Sequence, residues 1–378
     1  MPSTALRRQL MSNVRSMVVK VGTMVLTDQG GRLDRGLIGR IARQLATLHR
    51  GGIKVTLVSS GAIGAGMGRT GMASRPRSTS MLQAAAAIGQ PTLMSLYEKT
   101  LAKQGLHAGQ ILVTREDFEQ RVRYVNISNT LAALHRMHAI PIINENDTTA
   151  IDELDRFADN DTIAALVANL LQADLLVLLT VVDGLLDMRG QLIDFVPDVS
   201  DQVQSLAKSG RSALGSGGMM GKLVACKMVT SSGEIAVIAN GRQTKVLIKV
   251  LEGERVGTIF APAARKMRAR QKWLLNAVRP VGRIVIDGGA TEAVRTRGKS
   301  LLSRGIIGVQ GKFERGAIVR IVTEQNVTIA HGISNYSHAE LEKIKGLKSS
   351  EIIDTIGQKP FDEAIHRDNL VLTSGHGQ

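Results

Sequence analysis

The stretch IPIINENDTTAIDELDRFADND, residues 140–161, decides how this chain is organised. Its apolar start, residues 140–143, predicts a buried strand, and residues 160–171 predict an apolar helix. The polar residues 144–147 directly follow the strand, and Asp159, Asn160 and Asp161 stand at the helix start. Such amides and carboxylates are costly to bury without partners, and ligands of open α/β sheets bind beyond the carboxyl ends of the strands. The stretch therefore predicts a site for a small, polar, charged molecule.

Outward from this stretch, short strands alternate with helices. Strands are expected at 16–21, 54–59, 110–114, 174–180 and 234–239, and helices at 33–50, 81–104 and 126–138, with a kink or restart near Pro91. Aromatic residues make up only 3% of the chain, so the core must be aliphatic. These features predict an α/β fold, a three-layer αβα domain with a mostly parallel sheet.

The pattern changes after residue 281, where short strands separated by glycine turns predict a small β-rich domain. We expect four segments. They are a first domain at 1–260, a basic linker at 261–280, a β-rich domain at 281–360 and a C-terminal tail at 361–378.

The net charge of +15 is concentrated in part around the linker, where residues 261–283 include seven basic residues and no acidic one. The segment is either a surface for nucleic acid or an acidic partner, or a solvated basic linker helix. The second interpretation is favoured because only Trp273 could stack on a base there. The single cysteine, Cys226, excludes an internal disulfide. With no apolar run of about 20 residues and no apolar N-terminal signal, the sequence predicts a cytoplasmic protein without membrane contact.

Two lysines are candidates for binding phosphate. Lys20 lies near the end of an apolar strand, before Gly22 and Thr23, and is either an edge-strand lysine in solvent or aimed at phosphate. The segment GSGGMMGK, residues 215–222, resembles a P-loop but lacks its first glycine and its Ser/Thr. Lys222 stands near a helix N-terminus, where the dipole disfavours a cation, so a compensating anion is expected there. Asp161 is either a phosphate-site residue or a first-turn acid favoured by the same dipole.

Together these motifs resemble the amino-acid kinase family and, within it, the bacterial glutamate 5-kinases (gamma-glutamyl kinases). The resemblance rests on VVKVGT at 18–23, VSSGAI at 58–63, PIINEND at 141–147, ADND at 158–161 and GSGGMMGK at 215–222. The order and spacing of the five motifs are specific, although no single one is. The C-terminal part is similar to the PUA domain that many of these kinases carry, and PUA domains elsewhere bind RNA.

The resemblance implies ATP-dependent phosphorylation of the side-chain carboxylate of L-glutamate to L-glutamyl 5-phosphate, the first step of proline biosynthesis, with Mg²⁺. It implies that Lys20, Lys222 and Asp161 are catalytic. The implied substrate-binding residues are Ser60, Gly61, Ala62, Asn144, Asp147, Asp159 and Asn160. The implied nucleotide-binding residues are Lys20, Gly22, Thr23, Thr180, Val181, Ser216, Gly217, Gly218, Met219, Met220, Gly221 and Lys222. No protein metal ligand is implied.

The chain departs from the family pattern after Thr180, where Val181 replaces an aspartate and Leu186 replaces a tyrosine. The family also implies a homo-oligomer (dimer or tetramer), proline as a feedback inhibitor near residues 148–157, and transfer of the acyl phosphate to glutamate-5-semialdehyde dehydrogenase. Two alternatives stay open. One is another activity of the family, on acetylglutamate, aspartate, carbamate or UMP; the other is an RNA-binding PUA protein with a non-catalytic kinase-like scaffold.

Overall fold

The computed structural model describes residues 4–28, 32–149, 160–209, 218–263, 269–357 and 361–373. The chain divides into two units, Met1–Met267 and Arg268–Gln378. Within the described residues, no helix is both long and apolar enough to cross a bilayer.

Eight strands build the sheet of the first unit. They are β1 (Ser16–Val21), β2 (Lys54–Ser59), β3 (His107–Val113), β4 (Ala139–Glu145), β5 (Leu175–Thr180), β6 (Phe195–Val196), β7 (Ile235–Asn240) and β8 (Thr258–Phe260). Their order is β3-β4-β2-β1-β5-β7-β8-β6. Among the described pairs of this sheet, only β7 and β8 run antiparallel. The mostly parallel sheet predicted from the alternating pattern is confirmed.

Eleven helices of the first unit are described. They are α1 (Thr4–Ser12), α2 (Thr23–Leu26), α3 (Arg35–Arg50), α4 (Ala62–Thr70), α5 (Thr79–Ala102), α6 (Arg115–Glu119), α7 (Arg121–Arg136), α8 (Asn160–Leu171), α9 (Asp201–Ser209), α10 (Met219–Thr230) and α11 (Val246–Leu251). The expected restart at Pro91 does not occur, since α5 runs as one helix through that proline, and the alternative of a kink stays a prediction.

The two faces of β1 point into different layers because side chains alternate along a strand. Met17, Val19 and Val21 belong to an aliphatic cluster that includes residues of α3, α5 and α11. Val18 and Lys20 point to the opposite face, where α8 packs against β1 and against α10. Lys20 therefore comes from a central strand and is 3% exposed, so the edge-strand interpretation is wrong.

The second unit has a five-stranded sheet in the order β10-β9-β11-β12-β13. Its strands are β9 (Gly282–Ile286), β10 (Ile306–Gln310), β11 (Ile318–Thr323), β12 (Thr328–Ile333) and β13 (Leu370–Leu372). Its α-helices are α12 (Ala269–Lys272), α13 (Gly288–Arg295), α14 (His338–Ile344) and α15 (Ile352–Ile356). The segment expected to be a tail thus supplies the fifth strand, β13, which pairs with β12.

The basic linker is only partly solvated. Lys272 is fully buried and Trp273, which begins a π-helix ending at Ala277, is also buried. The expectation of a solvated basic helix is therefore wrong for these two residues. Residues 264–268 lie outside the described part of the chain.

Candidate active site

Two lysines and one aspartate converge at the carboxyl ends of the central strands. Lys20 Nζ lies 2.7 Å from Asp161 Oδ1, and Lys222 Nζ donates to Asp161 Oδ2 at 2.9 Å. Lys20 is the penultimate residue of β1, Asp161 is in the first turn of α8, and Lys222 is in the first turn of α10. Lys20 and Lys222, which are 141 and 61 positions from Asp161 in the sequence, therefore meet at its carboxylate. The predicted convergence of the two lysines is thus present in the structure.

Burial and charge set the state of this cluster. Asp161 is fully buried and Lys222 is 7% exposed. Burial acts to raise the pKa of the Asp161 carboxyl, but the ammonium groups of Lys20 and Lys222 hold that pKa below its usual range. The carboxylate also supplies the anion expected beside Lys222 at its helix N-terminus. By themselves, these three side chains carry one net positive charge.

A chain of amides lies beside the charged cluster. Asn160 Nδ2 donates to Ser60 Oγ at 2.9 Å and to Asn144 Oδ1 at 3.1 Å. Ser60 directly follows β2, Asn144 lies near the end of β4, and Asn160 is the residue before Asp161. The predicted substrate residues of three separate segments are thus brought together. Gly61 and Ala62 stand next to Ser60, at the start of α4.

Asp147 lies on the side of a neighbouring cavity of about 210 Å³. The cavity is lined by Ala86, Ala87, Gln90, Pro91, Gln110, Leu112, Glu145, Asn146, Asp147 and Thr148. Asp159, the loop 150–157, Ser216 and Gly217 were also predicted to belong to the site, and they lie outside the described residues.

The predicted nucleotide residues occupy the other side of β1. Gly22 N donates to Leu179 O at 3.3 Å, which places the start of α2, at Thr23, beside the end of β5. Thr180 is the last residue of β5, and Val181 is half-buried against the aliphatic core. Gly218 caps α10, whose first residues are Met219, Met220 and Gly221.

Sequence reasoning missed two polar side chains near the site. Gln90, in the middle of α5, hydrogen-bonds to Gln110 and to Asn144. Asp183 accepts hydrogen bonds from Asn240 and Gln243, each at 3.0 Å, beyond the ends of β5 and β7. A glutamine within a helix has no sequence signal for such a role, and Asp183, which precedes Gly184, fits an ordinary turn.

The described residues offer no protein cage for a metal ion. No group of three or more His, Cys, Asp or Glu side chains within them is placed to hold one. Asp161 is the buried carboxylate of the site, and both of its oxygens face lysine ammonium groups.

Comparison with known proteins assigns both parts of the chain. Residues 15–240 match the model of the amino acid kinase family, and residues 282–356 match the PUA domain. A glutamate 5-kinase of Moorella thermoacetica is 44% identical over 371 residues, which cover 97% of this chain and 98% of that protein. A glutamate 5-kinase of Geobacter sp. is 43% identical and covers 97% of this chain and 100% of its own length.

This chain belongs to the glutamate 5-kinase family of amino acid kinases. A third member, from Thermoanaerobacter sp., is 42% identical over 94% of this chain and 97% of its own. In this glutamate 5-kinase family member, the Lys20–Asp161–Lys222 cluster and the hydrogen-bonded side chains of Ser60, Asn160 and Asn144 lie within the kinase segment. The PUA segment contains strands β9 to β12 of the five-stranded sheet.

Proposed function

We propose that the chain transfers the γ-phosphoryl group of ATP to the side-chain carboxylate of L-glutamate. The product is L-glutamyl 5-phosphate, the first intermediate of proline biosynthesis. The observation that carries this proposal is the pair of buried lysines on one aspartate, directly beside the polar site of Ser60, Asn144 and Asn160, in a chain that matches glutamate 5-kinases over nearly its full length.

The reaction needs charge neutralisation more than it needs proton transfer. A glutamate carboxylate is already ionised near pH 7, so it can attack the γ-phosphorus without a general base. A new bond joins a carboxylate oxygen to phosphorus, the bond to the β,γ-bridging oxygen breaks, and ADP leaves. Lys20 and Lys222 neutralise the charge of the transferred group, and Asp161 holds both ammonium groups in place.

Mg²⁺ fits this arrangement as an ion that enters with the nucleotide. In proteins, Mg²⁺ is typically bound by one or two carboxylates together with substrate phosphates. When bound, it would offset charge on the phosphate oxygens. Both oxygens of Asp161 face lysine ammonium groups, so the nucleotide phosphates would supply most of the ligands of the ion.

The substrate side is assigned to the amides and the acidic residue near them. Ser60, Asn144 and Asn160 bind the amino acid, and Asp147 faces its ammonium group. The nucleotide lies between Gly22, Thr180 and the start of α10, on the other side of β1. Cytoplasmic location, the oligomeric state, inhibition by proline and transfer of the acyl phosphate to glutamate-5-semialdehyde dehydrogenase stay predictions.

The decisive experiment traps the acyl phosphate as a hydroxamate in the presence of glutamate, ATP and Mg²⁺. We expect hydroxamate from glutamate and none from aspartate, N-acetylglutamate or UMP. Lys54→Ala is a matched control for Lys20→Ala, because Lys54 is an exposed lysine at the opposite, amino end of the neighbouring strand. The proposal is wrong if glutamate yields no hydroxamate while another of these substrates consumes ATP.

RNA binding by the second unit is a second candidate function, favoured by one cavity. This cavity of about 720 Å³ is lined by Lys299, Arg304 and Arg367, together with Asp287 and Glu363 and several apolar residues. An affinity for RNA that falls steeply with salt, and that Lys299→Ala and Arg304→Ala weaken, would support it. Binding of RNA that does not depend on salt, or no binding, would exclude this candidate function.

A further inference from the structure

We propose that Gln90 is a positioning residue that holds Asn144, and through it Asn160, so that Asn160 Oδ1 faces the bound amino acid. This inference rests on the proposed function and adds a residue to it. Gln90 lies in the middle of α5 and is 9% exposed. A buried glutamine must satisfy both ends of its amide, because an unpaired buried polar group is destabilising.

Gln90 connects the surface of the small cavity with the amides of the site. Its Nε2 donates to Gln110 Oε1 at 3.1 Å, and its Oε1 accepts from Asn144 Nδ2 at 3.0 Å. Asn144, which is 2% exposed, in turn accepts a hydrogen bond from Asn160. Four amides thus form one chain of hydrogen bonds, from Gln110 through Gln90 and Asn144 to Asn160.

Two backbone groups fix the direction of every bond in this chain. The backbone N–H of Glu145 can only donate, and it lies 2.9 Å from the Asn144 atom that must therefore be Oδ1. The backbone carbonyl of Ser59 can only accept, and it lies 3.4 Å from the Asn160 atom that must be Nδ2. Asn144 Nδ2 consequently points to Gln90, which must offer its oxygen.

This fixed direction leaves particular atoms open at the site. Asn160 Oδ1 is buried and has no hydrogen-bond partner among the described residues. It is an acceptor suited to an ammonium group. Ser60 Oγ accepts from Asn160, so the hydroxyl hydrogen remains to be donated to a carboxylate. The two open groups, one acceptor and one donor, match the two charged groups on the α-carbon of a free amino acid.

The helix that carries Gln90 is held by close backbone packing. A Cβ on the preceding residue, Gly89, would lie 1.9 Å from the carbonyl oxygen of Ala62 and 2.4 Å from the backbone nitrogen of Gly66. Only glycine therefore permits α5 to approach the start of α4 this closely. Gly89 therefore packs against Ala62, which lies near Ser60, and Gln90 hydrogen-bonds to Asn144.

Loss of the Gln90 oxygen leaves the buried Nδ2 of Asn144 without its acceptor, while the Glu145 N–H still prevents the amide from turning over. We expect the Asn144 side chain to shift so that Nδ2 reaches another acceptor or water. Asn144 Oδ1 then no longer holds Asn160 Nδ2 at 3.1 Å, and Asn160 Oδ1 moves away from the substrate ammonium. The affinity for glutamate should fall, whereas a ligand without an ammonium group should be affected much less.

The test compares Gln90→Met, Gln90→Glu and a control in the full-length chain. For Gln90→Met, we expect KM for glutamate to rise about tenfold, the size of one lost hydrogen bond to a charged group. The inhibition constant of glutarate, which lacks the ammonium group, and KM for ATP should change by less than about twofold, since neither contacts Asn160 Oδ1 through an ammonium. Gln90→Glu keeps an acceptor for Asn144 and should stay close to wild type.

Gln104→Met is the matched control. Gln104 also accepts a side-chain hydrogen bond, from Arg50 at 2.8 Å, but it lies beyond the end of α5, before the amino end of β3. It should behave as wild type. Gln90→Asn, whose amide is one methylene shorter, repeats the test should the methionine variant fail to fold, and should show the same loss for glutamate.

The outcomes separate this inference from the proposed function. The inference is overturned if wild type phosphorylates glutamate and Gln90→Met has an unchanged KM for glutamate. It is also overturned if Gln90→Met loses affinity for glutamate and glutarate equally, because Gln90 then has only a packing role. If wild type neither binds nor phosphorylates glutamate, the proposed function is overturned, and the inference with it.

Discussion

Replacement of Asp161 by asparagine tests the charged cluster most directly. The variant keeps the shape of the side chain but removes the buried carboxylate between Lys20 and Lys222, which lie 2.7 and 2.9 Å from its oxygens. The low pKa of Asp161, which the two lysines impose against the effect of burial, means that the carboxylate is charged at neutral pH. The substitution therefore changes the cluster from one net positive charge to two.

The magnitude follows from the burial of the lysines. Removing one partner of a buried ion pair typically costs about 3–5 kcal/mol, because the remaining charge is left uncompensated. Both lysines are nearly buried, at 3% and 7% exposure, so we expect about 3 kcal/mol of lost stability. At about 2–4 °C per kcal/mol for a domain of this size, the melting temperature should fall by about 6–12 °C.

Thermal unfolding followed by circular dichroism, without nucleotide, measures this change. The double variant Lys20→Met/Asp161→Asn restores one net positive charge and should recover at least about 1 kcal/mol relative to Asp161→Asn, as coupled neighbours do. Asp201→Asn, on an exposed helix start, is the control and should stay within about 0.5 kcal/mol of wild type. An unchanged melting temperature for Asp161→Asn, or a double variant less stable than either single one, would refute the reasoning.

Three further predictions concern activity and pH. Lys20→Ala and Lys222→Ala should each lower kcat by about 10²–10³-fold with a much smaller rise in KM for glutamate, as for lost transition-state donors; steady-state kinetics with near wild-type kcat would contradict this. Asp147→Ala should raise KM for glutamate about tenfold, and collapsed turnover at unchanged KM would instead make Asp147 catalytic. Burial, with smaller contributions from neighbouring basic groups, lowers the pKa of His135 from 6.5 to about 4. The unfolded chain therefore binds a proton that the folded chain does not, so stability is lost as pH falls from about 6.5 to 4, by about 2 kcal/mol after allowance for partial exposure. Denaturant titrations of His135→Gln should show a flatter pH profile in that window, and equal slopes would disprove the assignment.

The elements that could be predicted from sequence are those with strong local patterns. Strands 16–21 and 54–59 and the helix 160–171 have the expected bounds, because apolar runs and a polar helix start mark them. The restart expected as one alternative at Pro91 does not occur. Proline lacks an N–H, so α5 loses one helical hydrogen bond at Pro91. The close packing of Gly89 and the hydrogen bond of Gln90, in the middle of the same helix, keep the helix continuous.

The site itself could be predicted only in part. Lys20 at a strand end and Lys222 at a helix start could be singled out because a lysine is unfavourable at each position. The ion pairs of both lysines with Asp161 compensate for this. The sequence predicted a compensating anion beside Lys222 but not its source, which is a carboxylate from 61 residues earlier. The hydrogen bond from Asn144 to Gln90 spans 54 residues between a strand and a helix interior, and no periodicity encodes it.

The order of the strands is consistent with the meeting place that we propose for the two substrates. β1 separates β4 and β2, whose ends carry Asn144 and Ser60, from β5 and β7, whose ends face the start of α10. In parallel sheets, ligands bind at the position where connections diverge to either side of a strand. A phosphoryl group that moves from nucleotide to amino acid must cross the end of β1, which is where Lys20 lies. Asp161 lies in the first turn of the helix that packs on this strand, so it can hold Lys20 and Lys222 at this position.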